Sequence, residues 1–307
     1  MITAFAPASV GNVTCGFDVL GMAVAQPGDE VTVSFNDLGK VRITKITGDN
    51  GKLPMQVAQN TASIAVVEML KSLNEKRGVD LYIAKKMPLG SGMGSSAASA
   101  VAAVVAVNAL LDSPLTKEEM MPFVLVAEGF ASGSVHGDNV LPCLLGGFVL
   151  IQSYEPLRVC RLPVPKGLHC VLVHPDLQIL TREARAIIPS TVPLKQAISQ
   201  TAHIAGFVDS LYKEDFDLMR HSLKDHFAEP FRKSLITGFD TAKEAALAAG
   251  AINFGISGSG PSVYSFARDK ATGLSIAEAV QAAFAQYDIE SQAYVDLVNV
   301  EGARVVS

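Results

Sequence analysis

The segment Pro88-Leu-Gly-Ser-Gly-Met-Gly-Ser-Ser-Ala-Ala98 constrains this 307-residue chain more than any other. Three alternating glycines, Gly90, Gly92 and Gly94, lead into Ser95 and Ser96. An uncharged run then extends to Leu111 and is apolar nearly all round a helix. Such a helix must be buried. A strand signal, Val79-Asp-Leu-Tyr-Ile83, precedes the loop. Glycines at positive φ let backbone N–H groups approach a ligand closely, and a helix N-terminus presents unpaired N–H groups and a partial positive charge. Phosphate suits that site. The segment therefore predicts a strand, a phosphate-holding loop and a buried helix.

Two familiar phosphate loops do not fit. A Walker A loop needs a lysine directly after its glycines, and none follows here. A dinucleotide fingerprint needs GxGxxG and, after a further strand, an acid some 20 residues on. Here the spacing is GxGxG, and Asp112 follows the helical run with no intervening strand.

The rest of the chain narrows the class. About half of the residues are apolar and the net charge is -5, with no long run of one sign, so a nucleic-acid binder acting through a basic face is excluded. The apolar part of the loop–helix segment is too short to span a bilayer, and the first residues lack the charged and apolar regions of a secretory signal. Cys15, Cys143, Cys160 and Cys170 show no zinc or redox spacing and are expected as buried thiols in a reducing compartment. The expectation is a cytoplasmic protein without nucleic-acid or membrane partners.

Alternation over Val31–Phe35 and Val41–Ile46, with Asn36–Gly39 between, predicts a hairpin. Helices are predicted over 60–73, with Asn60 or Thr61 as N-cap, and over 116–128, where Thr116 and Glu119 form a capping box. The stretch 132–139 reads as turns, with a strand over 144–151. Pro156, Pro163 and Pro165 make 154–167 a linker, which divides the chain into 1–155 and 156–307. Beyond it, strands are expected at 168–173, 262–266 and 293–298, and helices at 194–212, 216–227, 240–250 and 276–287. The mixture predicts an α+β protein.

The 88–98 segment resembles the Pro-x-Gly-x-Gly-Leu-Gly-Ser-Ser-Ala motif of the GHMP kinases, with Met93 for the usual leucine. Two further stretches resemble that family's first and third motifs: Ala6-Pro-Ala-Ser-Val-Gly-Asn-Val-Thr-Cys-Gly-Phe-Asp18 and Gly255-Ile-Ser-Gly-Ser-Gly-Pro261. His136-Gly-Asp-Asn139 with Gly146-Gly147, Thr181–Pro189 and Ala228–Arg232 resemble the homoserine kinase branch. The resemblance covers nearly the whole chain. It implies two α+β domains, the N-terminal one with the phosphate loop and the C-terminal one ferredoxin-like. It further implies ATP and Mg²⁺, a homodimer, and transfer of a phosphoryl group to L-homoserine.

The resemblance also places residues. Pro88, Leu89, Gly90, Ser91, Gly92, Met93, Gly94, Ser95, Ser96, Ala97 and Ala98 would bind ATP, with Asn60 and Lys85 near its base. Ser96 and Glu128 would hold Mg²⁺, whose preference for oxygen ligands suits both. Arg185 and Arg232 would grip the substrate carboxylate, for which an arginine fork is well shaped. Asp18 would pair with the ammonium and Asn12 orient the hydroxyl. His136, Asn139, Thr181, Gly258, Ser259 and Gly260 would complete the pocket. Asn139 stands where many relatives place a catalytic aspartate, and asparagine cannot act as a general base. Two other readings stay open: a mevalonate- or sugar-type kinase, and a silent sensor on the same fold.

Overall fold

The computed structural model describes residues 1–132 and 136–307. The first half builds one mixed sheet. Strand β1 (Ile2–Gly11) pairs antiparallel with β2 (Leu20–Asn36), and Pro7 sits where their register shifts, as a residue without an N–H requires. After β3 (Arg42–Thr47), helix α1 (Thr61–Ser72) crosses over to β4 (Gly78–Ala84). Asn60 caps α1 by accepting the Ala62 N–H at 3.1 Å.

The expected hairpin over 31–46 does not form. The turn at 36–39 exists, but β4 lies between the two strands, antiparallel to β2 and parallel to β3. Asp80 of β4 binds both neighbours: Asn36 donates to it at 2.6 Å and Arg42 at 2.6 and 2.9 Å. Alternation marks both strands, but their partner is a strand some 35 residues further along the chain.

Helix α2 (Ser95–Asn108) carries the phosphate loop at its start, and every residue in it except Ser96 is buried. Small alanines let it lie close under β1 and β2, while its valines each contribute on the order of 1.5–3 kcal/mol by burial. Helix α3 (Lys117–Ser132) opens with the predicted capping box: Thr116 N donates to Glu119 at 2.8 Å and Glu119 N to the Thr116 hydroxyl at 3.3 Å. Of the expected turn at 132–139, Gly133 to Val135 lie outside the described residues. From Gly137 the chain is helical, as α4 (Gly137–Leu145). Gly137 and Pro142 disguise this helix in the sequence, and burial of Val140, Leu141, Cys143 and Leu144 sustains it.

Strand β5 (Phe148–Tyr154) turns into β6 (Leu157–Leu162), which pairs antiparallel with it in the first sheet. The expected linker over 154–167 is therefore a hairpin followed by a short crossing. An expected boundary at 155 falls inside that hairpin, and we propose dividing the chain after Leu162.

The second half runs β7 (His169–Pro175), α5 (Thr181–Ala186), α6 (Leu194–Lys213), α7 (Phe216–Ser222), α8 (Glu229–Arg232), α9 (Phe239–Ala248), β8 (Gly255–Ile256), β9 (Val263–Ala267), α10 (Lys270–Ala285) and β10 (Ser291–Leu297). The strand order β10-β7-β9-β8 is the ferredoxin-like arrangement the resemblance implied. Helix α7 stops earlier than predicted because Asp225 captures the N–H groups of Phe227, at 2.7 Å, and of Glu229, also at 2.7 Å. That capture starts α8, the turn that carries Arg232. The last strand, β11 (Arg304–Val305), returns to β1.

One face of the second sheet packs Val171 and Val173 against α9 and α10. The other packs against the first half: Phe148 of β5 meets Phe207 of α6 at 5.5 Å and Phe266 of β9 at 5.8 Å, both edge to face. Cys15, Cys143 and Cys170 are buried as expected, and Cys160 is exposed on β6. Among the described residues, no helix is long and apolar enough to cross a membrane.

Candidate active site

The phosphate loop is wedged between the end of β1 and the 257–262 turn. Ser9 N donates to Met93 O at 3.1 Å, Ser257 Oγ to Gly92 O at 2.8 Å, and Ser262 N to Ser91 O at 3.1 Å. Gly92, at φ +77°, cannot be replaced freely: a Cβ there would lie 2.5 Å from Ser257 O and 2.7 Å from Gly260 O. Gly94, at φ +68°, turns the chain into α2, and no side chain caps that helix. Ser95 Oγ, at its first position, is buried without a hydrogen-bond partner. An uncapped helix start with an unsatisfied hydroxyl has the chemistry to receive an anion or a metal ion.

Lys85 fastens this helix start from below. Its ammonium, only 1% exposed, bonds Asp29, the Ser95 carbonyl at 2.7 Å and Ser99 Oγ at 2.9 Å. Burial outweighs the attraction of Asp29 and holds the ammonium below the usual lysine range. Asp29 also accepts the Lys86 N–H at 2.9 Å. All three donors of Lys85 are thus spent inside the protein. Lys85, expected near the base, supports α2 through its ammonium while its side chain lines the smaller of the cavities described next.

Two cavities meet at the loop. The larger, about 660 Å³, is lined by Ser91, Gly92, Gly94, Ala97, Glu128, His136, Asp138, Asn139, Asn12, Asp18, Thr181, Arg182, Arg185, Ala186, Arg232, Gly258 and Ser259. The smaller, about 250 Å³, is lined by Leu53, Pro54, Gln59, Asn60, Thr61, Ile83, Lys85, Leu89 and Ser99. Gly90, Ser95 and Ser96 line both. A two-part ligand whose phosphates cross the loop would occupy both.

The larger cavity carries a cluster of charge at its far end. Arg185 Nη1 donates to Asp18 Oδ2 at 2.7 Å, and Arg185 Nη2 meets His136. Burial, with Arg185 and Arg232 beside it, pushes the His136 imidazole below its usual value despite Asp18. Arg232 is buried, and donates to Ala184 O at 3.0 Å and Gly258 O at 2.9 Å. The turn after β1 supplies Asp18, and it is backbone-strained: Asn12, Val13, Thr14 and Asp18 all have positive φ. Asn12 stitches it together, accepting Asp18 N at 3.0 Å and donating to Gly258 O at 2.9 Å.

Asp138, which sequence reasoning passed over, accepts Asn12 N at 3.0 Å. It is fully buried, and burial together with Asp18 pushes its carboxyl up to about 7. Its signal lay inside the quoted His136–Asn139 segment. Phe17 was passed over too, inside the first motif; its ring lies against both arginines.

Most of the expected site residues gather at the two cavities. Pro88, Met93, Ala98 and Gly260 do not line them. The side chains of Met93 and Ala98 are buried in the core beneath the loop, which leaves only their backbone to serve the expected place at ATP. Helical periodicity turns Ala98 inward. Asn60 lines the smaller cavity, but its amide is engaged in the α1 cap and with Pro54 O at 3.1 Å. Asn139 accepts the Ser9 hydroxyl at 3.1 Å. The Thr181 and Ser259 hydroxyls face each other at 3.5 Å.

A loop of this build between two α+β units defines a small-molecule kinase of the GHMP class. Residues 60–147 match the family described as the GHMP kinases N terminal domain, and residues 207–286 the GHMP kinases C terminal family. A mevalonate kinase shares the fold alone, with a TM-score of 0.72 at 12% identity, covering 97% of this chain and 100% of that one. A homoserine kinase of Chloroherpeton thalassium is 45% identical, with 99% of each chain covered. One of Xylella fastidiosa is 44% identical over 99% of this chain and 93% of that one. The crystal structure of homoserine kinase from Cytophaga hutchinsonii has a TM-score of 0.97 at 46% identity, covering 99% of this chain and 97% of that one. The chain belongs to the homoserine kinase family of the GHMP kinases.

Proposed function

We propose that the chain transfers the γ-phosphoryl group of ATP to the side-chain hydroxyl of L-homoserine, giving O-phospho-L-homoserine for threonine biosynthesis. The observation that carries this reading is the Asp18–Arg185 ion pair in the cavity, with Arg232 beside it. An α-amino acid is a zwitterion. It would split this pair, its ammonium taking Asp18 and its carboxylate Arg185 and Arg232. A sugar or an isoprenoid acid offers no ammonium for Asp18.

The nucleotide base would enter the smaller cavity beside Leu53, Pro54 and Leu89, and the phosphates would lie across Gly90–Ser96. The donors at the loop fit Mg²⁺: Ser95, Ser96 and Glu128 offer oxygen only, and Ser95 Oγ is unsatisfied. When bound beside the phosphates, the ion would supply charge neutralisation of the β- and γ-oxygens.

Phosphoryl transfer depends mainly on positioning and charge stabilisation. The arginines fix one end of the acceptor, and Asn139, at the other end of α4 from the β5 turn, faces the loop side of the cavity. Asn12, which would orient the hydroxyl, also holds the Asp18 turn, and Asn139 lines the cavity beside it. Asn139 cannot take the proton, and Asp18 is committed to the ammonium. The hydroxyl proton therefore passes late, directly to the transferring phosphoryl oxygens, as a loose transition state permits. The chain acts as a homodimer in the cytoplasm on this reading, and gel filtration of the purified protein tests the dimer.

A coupled ADP-release assay over homoserine, mevalonate, galactose and shikimate tests the whole. Turnover confined to homoserine is expected. Turnover with another alcohol and none with homoserine would overturn the reading, and silence with all four would favour the sensor.

A further inference from the structure

We propose that Phe17 is a positioning residue for the acceptor: its aromatic face holds Arg185 and Arg232 at the separation needed to grip one carboxylate. The inference rests on the reading that these two arginines bind that carboxylate. The ring centroid lies 5.2 Å from Arg185 Cζ and 5.4 Å from Arg232 Cζ. Phe17 is half-buried and does not line the cavity, so its contact is with the arginines rather than with a ligand.

Two guanidinium groups against one ring repel each other. That repulsion adds to burial at Arg232: burial first, and then the charge of Arg185, hold it below the usual arginine range. The electron-rich face of a ring attracts both cations at once. Arg232 has carbonyl tethers as well, from Ala184 and Gly258. Arg185 is held by Asp18 and, through Nη2, by His136, and Asp18 is the group that the arriving ammonium would claim. With Asp18 taken, Phe17 shares with His136 the task of holding Arg185 in place.

The backbone keeps the ring in place. At Gly16 a Cβ would lie 2.2 Å from the Leu20 side chain, so the chain passes tightly there. Asp18, at φ +61°, is pinned by the Asn12 amide. Phe17 is clamped between these two points.

Steady-state kinetics of the Phe17→Leu and Phe17→Tyr variants test this, with L-homoserine as substrate and 3-aminopropan-1-ol as competitive inhibitor. That compound is homoserine without its carboxylate. Leucine keeps the apolar bulk and loses the π face; tyrosine keeps both. In Phe17→Leu, KM for homoserine should rise about tenfold, the loss expected from two cation–π contacts. Its kcat, its KM for ATP and its Ki for 3-aminopropan-1-ol should stay within about twofold of wild type. Phe17→Tyr should restore the wild-type KM. An unchanged KM in Phe17→Leu overturns the proposal. So do equal losses in both variants, or a matching rise in Ki, since bulk alone would produce those. If wild type binds 3-aminopropan-1-ol as tightly as homoserine, the arginine reading itself fails, and that result is distinct from the others.

Discussion

The two ends of the larger cavity are built by opposite means. The phosphate end is one continuous stretch of backbone, Gly90 to Ser96, fixed by glycine geometry and by hydrogen bonds that its carbonyls accept from β1 and the 257–262 turn. The acceptor end is three charged side chains, Asp18, Arg185 and Arg232, with the imidazole of His136, from four separate segments, and its charges offset one another. Backbone fixed by packing cannot be exchanged for a ligand, whereas an ion pair can. The phosphate end is therefore set by folding and stays set, while the acceptor end is set by charge and opens to a substrate bearing both signs.

If that contrast holds, the foundation of the phosphate end should be the costliest thing to remove. Lys85→Met leaves Asp29 buried at 0% exposure with its charge partner gone. Such losses run to about 3–5 kcal/mol of stability, whereas Asp29→Asn added to Lys85→Met should recover most of it, because no charge is then stranded. Urea denaturation of both variants reads this directly. A cost below about 1 kcal/mol would mean that α2 does not rest on this pair.

The loop itself comes next. Gly92→Ala must push a Cβ to within 2.5 Å of Ser257 O, displacing either the loop or the 257–262 turn. A shift of about 1 Å in reacting geometry costs around 10²-fold, or about 3 kcal/mol in the transition state. ADP release at saturating homoserine should show it. Full turnover in this variant would show the loop to be as adaptable as the acceptor end.

At the acceptor end the losses should be smaller and confined to one substrate. Arg232→Lys cannot both reach the Ala184 and Gly258 carbonyls and present a planar fork. KM for homoserine should rise roughly 30-fold, about 2 kcal/mol, with KM for ATP unchanged. A parallel rise in KM for ATP would erase the division between the two ends.

The same division explains what the sequence revealed. The phosphate end was legible because glycine spacing and an all-apolar helix are local patterns, and local patterns survive in one dimension. The Thr116–Glu119 capping box, the Asn60 cap and most helices were legible for the same reason. The insertion of β4 between β2 and β3 was not, since alternation marks a strand without naming its partner. Helix α4 was hidden behind Gly137 and Pro142, residues that locally oppose a helix whose stability comes from burial. The acceptor residues were reached through family motifs, because nothing local distinguishes Arg185 from a surface arginine. Lys85 shows the limit most plainly. A lysine before a phosphate loop reads as a ligand contact, and only three-dimensional packing reveals Asp29, far off in sequence, waiting beneath it.

Asp138 joins the two ends and gives the finest test. Its carboxyl accepts the Asn12 N–H that anchors the Asp18 turn, while its neighbour Asn139 faces the loop side. With its pKa raised from 3.8 to about 7, it keeps its proton in the folded chain while the unfolded chain releases it. Unfolding therefore releases a proton between about pH 4 and pH 7, and stability falls as pH rises through that window and then levels off. Asp138→Asn removes this loss and keeps an oxygen for the Asn12 N–H. Its stability relative to wild type should grow from pH 4 to pH 7 by about 1–2 kcal/mol, because water in the adjoining cavity relaxes part of the full penalty. Thermal melts of both proteins across that range check the sign. A gap that is flat with pH would mean that Asp138 ionises freely in the folded chain. The two ends would then be joined through a fixed negative charge rather than a neutral hydrogen-bonded carboxyl.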